Sequence, residues 1–215
     1  MSILESNRKR QFCVISGGPD STTLLNEVLR HNVPQSISTE AIFINFGQPY
    51  LLQELTSARR VAEIAKVRLN EIVIPGLSHA FIGDGEFGYV IFRNIIEASY
   101  GIAASFARYH GGEALYHANI KEDVDDLPWM PGFFVRFSDM VNSINDVGHL
   151  KIRSPYLTVP KAEVFERADE MNVDLTSTWS CLKPGEIHCG ECRSCKRRRE
   201  AFLLAQMKDE TKYSK

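Results

Sequence analysis

The residues near the start of the chain with the best types and spacing for chemistry are Ser16, Gly17, Gly18, Pro19, Asp20 and Ser21. They follow an apolar run, residues 11–15, whose β-branched and aromatic side chains predict a buried strand. Two glycines and a proline end that strand in a turn, and residues 20–23 supply helix-capping side chains. Such a turn aims backbone N–H groups at one point, where the helix dipole favours an anion. We therefore predict a site for a phosphate chain.

Two other interpretations of this loop fit its residues less well. A P-loop would need Gly-Lys-Ser or Gly-Lys-Thr after its glycines, which this sequence lacks. An ordinary strand–turn–helix could use small residues for packing, but it does not require two serines and an aspartate. The Ser-Gly-Gly-x-Asp-Ser pattern instead resembles the pyrophosphate loop of the ATP pyrophosphatases. That superfamily includes GMP synthetase, NAD synthetase, tRNA thiolases and the deazaguanine enzymes.

Four cysteines near the C-terminus form a second chemical cluster, with the spacing Cys-x7-Cys-x2-Cys-x2-Cys: Cys181, Cys189, Cys192 and Cys195. A tetrahedral Zn²⁺ takes four thiolates, and Cys-x2-Cys lets a tight turn offer two sulfurs to one ion. Four protein ligands leave no open position, so the site is interpreted as structural. An iron–sulfur cluster and redox thiols are the alternatives.

The whole-chain composition limits the function classes. The 215 residues are 44% hydrophobic and 24% charged, as expected of a soluble globular protein with a substantial core. A net charge of −2 argues against a protein that binds nucleic acid over its whole surface. No stretch approaches transmembrane length, and residues 1–10 are too polar for a signal peptide, so we expect a cytoplasmic protein without membrane contact.

Apolar runs and helical periodicity predict alternating strands and helices around these motifs. Strands are expected at residues 11–15, 40–46, 70–75, 113–120 and 150–157. Helices are expected from the turn to about residue 30, then at residues 50–66, 94–109, 133–147 and 160–171, the last capped by Thr158. Loops are expected at the glycine-rich residues 76–89 and the acidic residues 122–126.

This alternation predicts an α/β fold, a parallel sheet covered by helices on both faces. Ligands of such sheets bind beyond the carboxyl ends of the strands, so the loops after the first, second and fourth strands should line one cleft. A basic run at residues 193–199 is interpreted as a solvated helix face, with a phosphate or partner surface as the alternative.

The loop and the cysteines together resemble the QueC family, the 7-cyano-7-deazaguanine synthases of the queuosine pathway. Further matches to the family's motifs are Gly47-Gln48, Arg93-Asn94, Glu122-Asp123 with Pro128, Lys161-Ala162-Glu163 and Thr178-Trp179-Ser180-Cys181. The resemblance implies a homodimer. It also implies a Rossmann-like ATP-binding domain of the adenine nucleotide alpha hydrolase type at residues 1–177, followed by a zinc-binding helical segment at residues 178–215.

The same resemblance implies a reaction: ATP with Mg²⁺ adenylates 7-carboxy-7-deazaguanine, ammonia forms the amide, and a second ATP drives dehydration to the nitrile. The implied catalytic residues are Ser16, Asp20, Ser21 and Lys161. The implied nucleotide-binding residues are Ser16, Gly17, Gly18, Asp20, Ser21, Phe46, Gly47, Gln48, Arg93 and Asn94. The implied ligands of a structural Zn²⁺ are the four clustered cysteines.

The residues that the resemblance places near the acid substrate depart from the family pattern. After Pro128 the family has Asp-Cys-Arg, where this chain has Trp129-Met130-Pro131. We expect adenylation to survive and nitrile formation with free ammonia to be weak. Trp129 is expected to stack on a base or to fill the loop, and the candidate replacements for the lost polar contacts are Arg136 and Asp139.

Four functions therefore compete. The first is nitrile synthesis from a deazaguanine acid and ammonia, and the second joins the activated acyl group to an amine of a partner protein, as in QueC-like antiphage-defence proteins. The third, tRNA thiolation, needs a reactive cysteine in the catalytic half, where only Cys13 lies, inside a strand. The fourth is nucleotide binding without catalysis.

Several titratable residues receive no chemical role. The histidines without metal-ligand spacing are His79, His110, His117 and His149, and we interpret them as ordinary residues. Asp125 and Asp126 are assigned to a solvated loop, with Mg²⁺ ligation as the alternative.

Overall fold

A five-stranded parallel sheet forms the centre of the chain, which the computed structural model describes at residues 9–75, 81–82, 90–91, 95–143 and 148–215. Its strands are β1 (Arg10–Val14), β2 (Ser38–Asn45), β3 (Leu69–Val73), β6 (Gly112–Tyr116) and β7 (Lys151–Arg153), in the spatial order β3-β2-β1-β6-β7. Two short strands, β4 (Phe81–Ile82) and β5 (Val90–Ile91), pair antiparallel in a separate ribbon. Because the strand order reverses at β1, a ligand crevice is expected beyond its carboxyl end.

Helices connect the strands in the described part of the chain. They are α1 (Pro19–Asn32), α2 (Leu51–Ile64), α3 (Ile95–Tyr109), α4 (Lys121–Asp126), α5 (Met130–Asn142), α6 (Lys161–Glu170) and α7 (Arg193–Leu204). Short 3₁₀ turns cover Val33–Gln35 and Leu175–Ser177. None of the helices in the described ranges combines the length and the apolar character that crossing a bilayer requires.

Both faces of the sheet are buried. Phe12 and Ile42 face one helix layer, their neighbours Cys13 and Phe43 face the other, and all four are at most 1% exposed. Helices α1, α2 and α6 cover the Cys13 face, whereas α3 and α5 cover the Phe12 face. This double burial explains the continuous apolar runs of β1 and β2 and confirms the predicted α/β fold. Cys13 is the core residue that its apolar strand predicts.

The acidic residues 122–126 lie in helix α4, so the loop predicted there is wrong. The Asp123 carboxylate accepts the backbone N–H of Ile120 at 3.1 Å and caps the helix. Lys121 Nζ lies 2.6 Å from Asp125 Oδ2, one helical turn away. These contacts offset the weak helix propensity of aspartate, which had favoured the loop.

Helix α6 follows Pro160 directly, so the predicted cap at Thr158 is also wrong. The backbone N–H of Lys161 donates instead to both carboxylate oxygens of Glu122, at 3.0 and 3.1 Å. A side chain far away in sequence thus satisfies the first turn of α6, and local start signals could not predict it. The contact ties α4 to α6 at the carboxyl edge of the sheet.

Other element boundaries differ from the predicted ones by a few residues. Helix α1 extends to Asn32, α5 begins three residues early with Pro131 in its first turn, and β7 ends at Arg153. Most of the predicted loop at residues 76–89, and the end of the helix predicted at residues 133–147, lie outside the described residues.

The basic run contains one fully buried arginine, so it is not wholly the solvated face that its composition predicts. The Arg198 side chain donates to the hydroxyls of Thr211, Thr178 and Ser180 at 2.8, 2.9 and 3.1 Å. It also donates to the carbonyl oxygen of Leu175 at 2.6 Å. One guanidinium therefore joins helix α7 to residues 175–180 and to Thr211, and burial holds the pKa of Arg198 below the ordinary range.

The C-terminal helix packs onto the α/β core. Phe165 of α6 and Phe202 of α7 meet edge to face, with ring centroids 4.7 Å apart, and both are buried. Residues from both sides of position 177 thus share one apolar cluster. The division into residues 1–177 and 178–215 stays a prediction.

Replacing Arg198 by methionine is expected to lower the free energy of unfolding by about 3 kcal/mol, because it leaves several buried acceptors without a donor. Urea denaturation of the zinc-loaded protein measures the change. The matched control is Lys196→Met, on the same helix at an exposed position, which should stay within about 0.5 kcal/mol of the wild type. An Arg198→Met protein as stable as this control would show that the buried network contributes nothing.

Candidate active site

A cavity of about 300 Å³ opens beyond the carboxyl ends of the central strands. The loop after β1 contributes Ser16, Asp20 and Ser21 to its lining, and the segment after β2 contributes Phe46 and Gln48. The segment after β6 adds His117, Ala118 and Asn119. The loops after the first, second and fourth predicted strands therefore share one cleft, as the α/β topology requires.

The loop at residues 16–21 is held tightly against α2. Gly17 has a φ of +77°, and a Cβ atom there would overlap the carbonyl oxygen of Glu54, so only glycine fits. The Gly17 carbonyl oxygen accepts the Ser57 hydroxyl at 2.7 Å and the backbone N–H of Trp179 at 2.9 Å. The loop is thus clamped between α2 and the segment that leads to the cysteines.

No side chain caps the N-terminus of α1, contrary to the capping role predicted for residues 20–23. Gly18 occupies the N-cap position, and Pro19, which has no N–H, occupies the first turn. Ser21 instead braces the loop, since its hydroxyl accepts the Ser16 N–H and donates to the Gly18 carbonyl, both at 3.2 Å. The helix N-terminus is therefore left without a side-chain acceptor, as an anion site requires.

Lys161, which is buried, and Asp20, which is partly exposed, form an ion pair beside this N-terminus. The Lys161 Nζ lies 2.7 and 2.5 Å from the two Asp20 carboxylate oxygens. A second cavity of about 180 Å³ adjoins the pair, and its lining includes Gly18, Lys161 and Arg197. The two cavities share the side chains of Ser16, Asp20, Glu54 and Asp123. A phosphate chain that ran from one cavity to the other would pass the lysine and the helix N-terminus.

The structure brings most of the predicted site residues together. Ser16, Asp20, Ser21, Phe46 and Gln48 line the larger cavity. Gly18 and Lys161 line the smaller one. Gly47 lines neither, and its φ of +78° shapes the turn after β2. Arg93 and Asn94 lie outside the described residues.

Glu54 is a site residue that sequence reasoning missed. Its carboxylate accepts the side-chain N–H of Gln48 at 2.8 Å and faces both cavities. Burial raises the pKa of Glu54 to about 8, against the opposing effect of the Gln48 hydrogen bond. The available signal was its position in α2, three residues after Leu51 and four before Ala58, which places a carboxylate on the apolar face of that helix.

His117 is the second missed residue. It is 1% exposed, lines the larger cavity, and has no hydrogen-bond partner for either ring nitrogen among the described residues. Burial lowers the pKa of His117 to about 3, so the imidazole is neutral. From the sequence His117 received no chemical role, whereas the structure places it, buried and without a partner in the described residues, on the cavity wall. Its place directly after a buried strand was the available signal.

The residues that replace the family's polar acceptor motif lie away from the cavities. Trp129 is 45% exposed and contacts Phe133 edge to face, with ring centroids 5.9 Å apart. Arg136 and Asp139 are exposed on α5 and line neither cavity. Neither restores the lost polar contacts in this conformation.

The four cysteines form a compact cluster, with all four sulfur atoms within 4.8 Å of one another. Backbone N–H groups of Lys183 and Cys189 donate to the Cys181 sulfur at 3.3 and 3.4 Å, and that of Cys192 donates to the Cys189 sulfur at 3.3 Å. Such bonds stabilise thiolates, so the cluster fits a four-coordinate Zn²⁺ with no open position.

Comparison with known proteins gives the family. The model of the family described as "Queuosine biosynthesis protein QueC" matches residues 83–206. A 7-cyano-7-deazaguanine synthase of Sulfurovum sp. (strain NBC37-1) is 31% identical, covering 96% of this chain and 99% of that protein. The chain belongs to the QueC family. A second QueC relative, the 7-cyano-7-deazaguanine synthase of Aliarcobacter butzleri (strain RM4018), is 32% identical and covers 95% of this chain and 96% of that protein.

Solved structures share the fold of this QueC-family chain at lower identity. The U34-tRNA thiolase NcsA from Methanococcus maripaludis superposes with a TM-score of 0.54 at 16% identity, over 92% of this chain and 65% of that one. NMN synthetase from Francisella tularensis gives a TM-score of 0.50 at 14% identity, over 97% and 82% of the two chains. At these identities the likeness concerns the fold alone.

The cysteine cluster is expected to bind one Zn²⁺ per chain. Because structural zinc contributes folding free energy directly, Cys192→Ser or strong chelation should lower both zinc content and melting temperature. Elemental analysis and thermal unfolding measure these, with Ser194→Ala beside the cluster as the matched control. Iron in place of zinc, or a folded wild type with no metal, would contradict the assignment.

Glu54 is expected to make stability depend on pH. Because the pKa of Glu54 is raised from 4.5 to about 8, the folded chain binds more protons than the unfolded chain between these pH values. The contribution of Glu54 to the free energy of unfolding therefore falls as pH rises from 4.5 to 8. Glu54→Gln removes this titration, so the free energy of unfolding of the variant should increase, relative to that of the wild type, from pH 5 to pH 8. Glu63→Gln, at an exposed position on the same helix, should show no such trend. A constant difference for Glu54→Gln would contradict the raised pKa.

Proposed function

We propose that this chain is an ATP-dependent enzyme that adenylates 7-carboxy-7-deazaguanine, or a close analogue, and passes the activated acyl group to an amine. The observation that carries the proposal is the uncapped N-terminus of α1 beside the Lys161–Asp20 pair. Membership of the QueC family and the names of the curated relatives support the choice of substrate.

The loop at residues 16–21 is suited to hold the pyrophosphate part of ATP. Backbone N–H groups at the start of α1 and the charge on Lys161 would stabilise negative charge on the departing pyrophosphate. The nucleoside would lie near Phe46 and Gln48, which line the same cavity. Ser16 and Ser21 would hold the loop in shape through their mutual hydroxyl contact of 3.3 Å.

Mg²⁺ is the ion that the fold family implies, and the donor set here suits it. Asp20 and Asp123 present carboxylates to both cavities, and carboxylate oxygen is the ligand type that Mg²⁺ prefers. Burial raises the pKa of Asp123, and the nearby Asp20 carboxylate adds to this effect, as expected of two neighbouring carboxylates. A bound Mg²⁺ would neutralise charge on the phosphates.

The proposed reaction has two displacement steps. A carboxylate oxygen of the acid attacks the α-phosphorus of ATP, forming an acyl–oxygen–phosphorus linkage while the bond to pyrophosphate breaks. The amine nitrogen then attacks the acyl carbon, loses a proton, and displaces AMP to leave an amide. Glu54, which has a pKa near neutrality and faces both cavities, is suited to accept that proton.

For nitrile synthesis, the amide oxygen would be adenylated by a second ATP, and loss of AMP and two protons would leave the carbon–nitrogen triple bond. This stage depends on polar contacts that hold the amide in position. Residues 129–131 line neither cavity and include no charged side chain, so they provide no charged group to hold the amide. We therefore infer that the nitrile stage is weak with free ammonia.

A second candidate function follows from the apolar character of residues 129–131. An apolar, partly exposed segment at residues 129–131 is suited to contact a partner protein, whose lysine or terminal amine could then take the acyl group. Such a conjugation would match the QueC-like antiphage-defence proteins. The homodimer and the cytoplasmic location remain predictions.

The test is incubation of the zinc-loaded protein with ATP, Mg²⁺ and 7-carboxy-7-deazaguanine, with and without ammonia, followed by mass spectrometry. We expect acid-dependent release of pyrophosphate, with amide and little nitrile. Asp20→Asn should reduce that release at least tenfold, because it removes the partner that orients Lys161. The control, Asp169→Asn at an exposed position of α6, should leave it unchanged.

Three results would correct this account. Pyrophosphate release that does not depend on the acid, or that survives Asp20→Asn in folded protein, would overturn the adenylation site. Efficient nitrile synthesis by the protein alone would overturn the acceptor argument and support ordinary 7-cyano-7-deazaguanine synthesis. Adenylate that is discharged only by an added partner protein would favour conjugation.

A further inference from the structure

His117 needs a partner that the described part of the chain does not supply. Both of its ring nitrogens are buried and without a hydrogen bond there, although the residue lines the larger cavity. Buried polar atoms are nearly always paired in folded proteins, and exceptions point to an unrecorded water, ion or ligand. A cavity wall with an unpaired imidazole is therefore a place where a ligand can supply the missing bonds.

The backbone and the neighbouring rings fix the position of this imidazole. Its backbone N–H donates to the Arg153 carbonyl at 2.8 Å, and its carbonyl accepts the Ser154 hydroxyl at 3.3 Å. The ring packs against Tyr100 and Phe134, with centroids 4.3 and 5.6 Å away. The Tyr100 hydroxyl already has a partner, since it donates to the Asn119 side-chain oxygen at 2.8 Å. The His117 ring is thus held in place by the faces of two aromatic rings.

The protonation state limits what the ring can recognise. Burial keeps the pKa of His117 near 3, so the imidazole offers one N–H donor and one nitrogen acceptor at physiological pH. It carries no charge with which to attract a carboxylate or a phosphate. Because its two nitrogens point in different directions, the ring can pair with one group of a neutral edge, such as the N–H of the lactam edge of a purine-like heterocycle. A neighbouring side chain must pair with the adjacent carbonyl.

The sheet order places His117 on the side opposite the expected nucleoside. Strand β1, with the phosphate-binding loop, lies between β2 and β6. Phe46 and Gln48 follow β2, whereas His117 and Asn119 follow β6. A molecule that must meet the α-phosphorus from across the loop would therefore lie against β6.

We propose that His117, with Asn119 beside it, recognises the lactam edge of the heteroaromatic acid that this enzyme activates. The inference rests on the proposed function and names the residues that determine specificity in its acceptor half. The proposed chemical class is a planar, purine-like lactam bearing a carboxylate. This contact is independent of residues 129–131, so it would survive the loss of the polar motif there.

The test is calorimetric titration of the zinc-loaded protein with 7-carboxy-7-deazaguanine and, separately, with ATP. His117→Phe keeps a flat ring without hydrogen bonding and should raise the Kd for the acid at least tenfold, with the Kd for ATP within twofold of wild type. His117→Asn, which retains a donor and an acceptor, should recover part of the affinity. The ratio of the wild-type and His117→Phe affinities for the acid should be constant from pH 6 to pH 8.5. The imidazole does not titrate there, and Glu54 on the same cavity wall titrates in both proteins.

A second variant guards against misfolding. Asn119→Leu, on the same cavity wall, should weaken binding of the acid but leave ATP binding unchanged. Asp139→Asn, which is exposed and lies away from the cavities, is the control for the His117 and Asn119 variants. Melting temperatures identify variants that fail to fold. Equal affinity of wild type and folded His117→Phe for the acid would overturn the inference alone, as would equal losses of acid and ATP binding. Failure of the wild type to bind the acid while it binds ATP would overturn the proposed function and this inference with it.

Discussion

The close approach of Gly17 to helix α2 is the constraint on which the rest of the site depends. A side chain at this position would overlap the Glu54 carbonyl, and the φ of +77° suits glycine alone. The Gly17 carbonyl then holds Ser57 from α2 and Trp179 from the C-terminal part. Three regions that are far apart in sequence thus meet at one peptide group, and the loop at residues 16–21 takes its shape from all three.

The cysteine cluster supports this contact from a distance. The Trp179 indole N–H donates to the Cys181 carbonyl at 2.8 Å, and the adjoining Thr178 and Ser180 hydroxyls accept from buried Arg198. A metal ion bound by the cysteines would therefore order residues 178–180, the segment that contacts Gly17. Zinc at this site would contribute to activity by positioning the segment, without contact with substrate.

A second chain of contacts links the same region to the charged pair. Arg197 donates to the Asp126 carboxylate at 2.8 Å, and Glu122 in the same helix accepts the backbone N–H of Lys161. Lys161 in turn meets Asp20. A buried ion pair is weak evidence for stability because desolvation opposes the attraction. We therefore interpret the Lys161–Asp20 pair as a device that holds a cation beside the helix N-terminus.

Local patterns predicted the parts of the site that depend on neighbours in sequence. The loop at residues 16–21 and the cysteine spacing are of this kind, since a turn or a metal site needs particular residues within a few positions. Glu54, His117 and Arg198 were missed because their surroundings come from tertiary burial. Glu54 was assigned no role, His117 was interpreted as an ordinary residue and Arg198 as part of a solvated helix face. Helix α4 was missed because its own Asp123 caps it. The start of α6 was missed because its cap is Glu122, which lies 39 residues earlier in the chain.

The central claim is that the loop held by Gly17 serves adenylation of a carboxylate, and the fate of the carboxylate oxygen tests it most directly. 7-Carboxy-7-deazaguanine labelled with ¹⁸O in its carboxylate is incubated with the protein, ATP, Mg²⁺ and an amine, and the nucleotide products are analysed by mass spectrometry. The account predicts AMP that carries one ¹⁸O atom, because the attacking oxygen stays on the α-phosphorus when the amine displaces it. Unlabelled AMP, or ADP formed together with labelled inorganic phosphate, would contradict it.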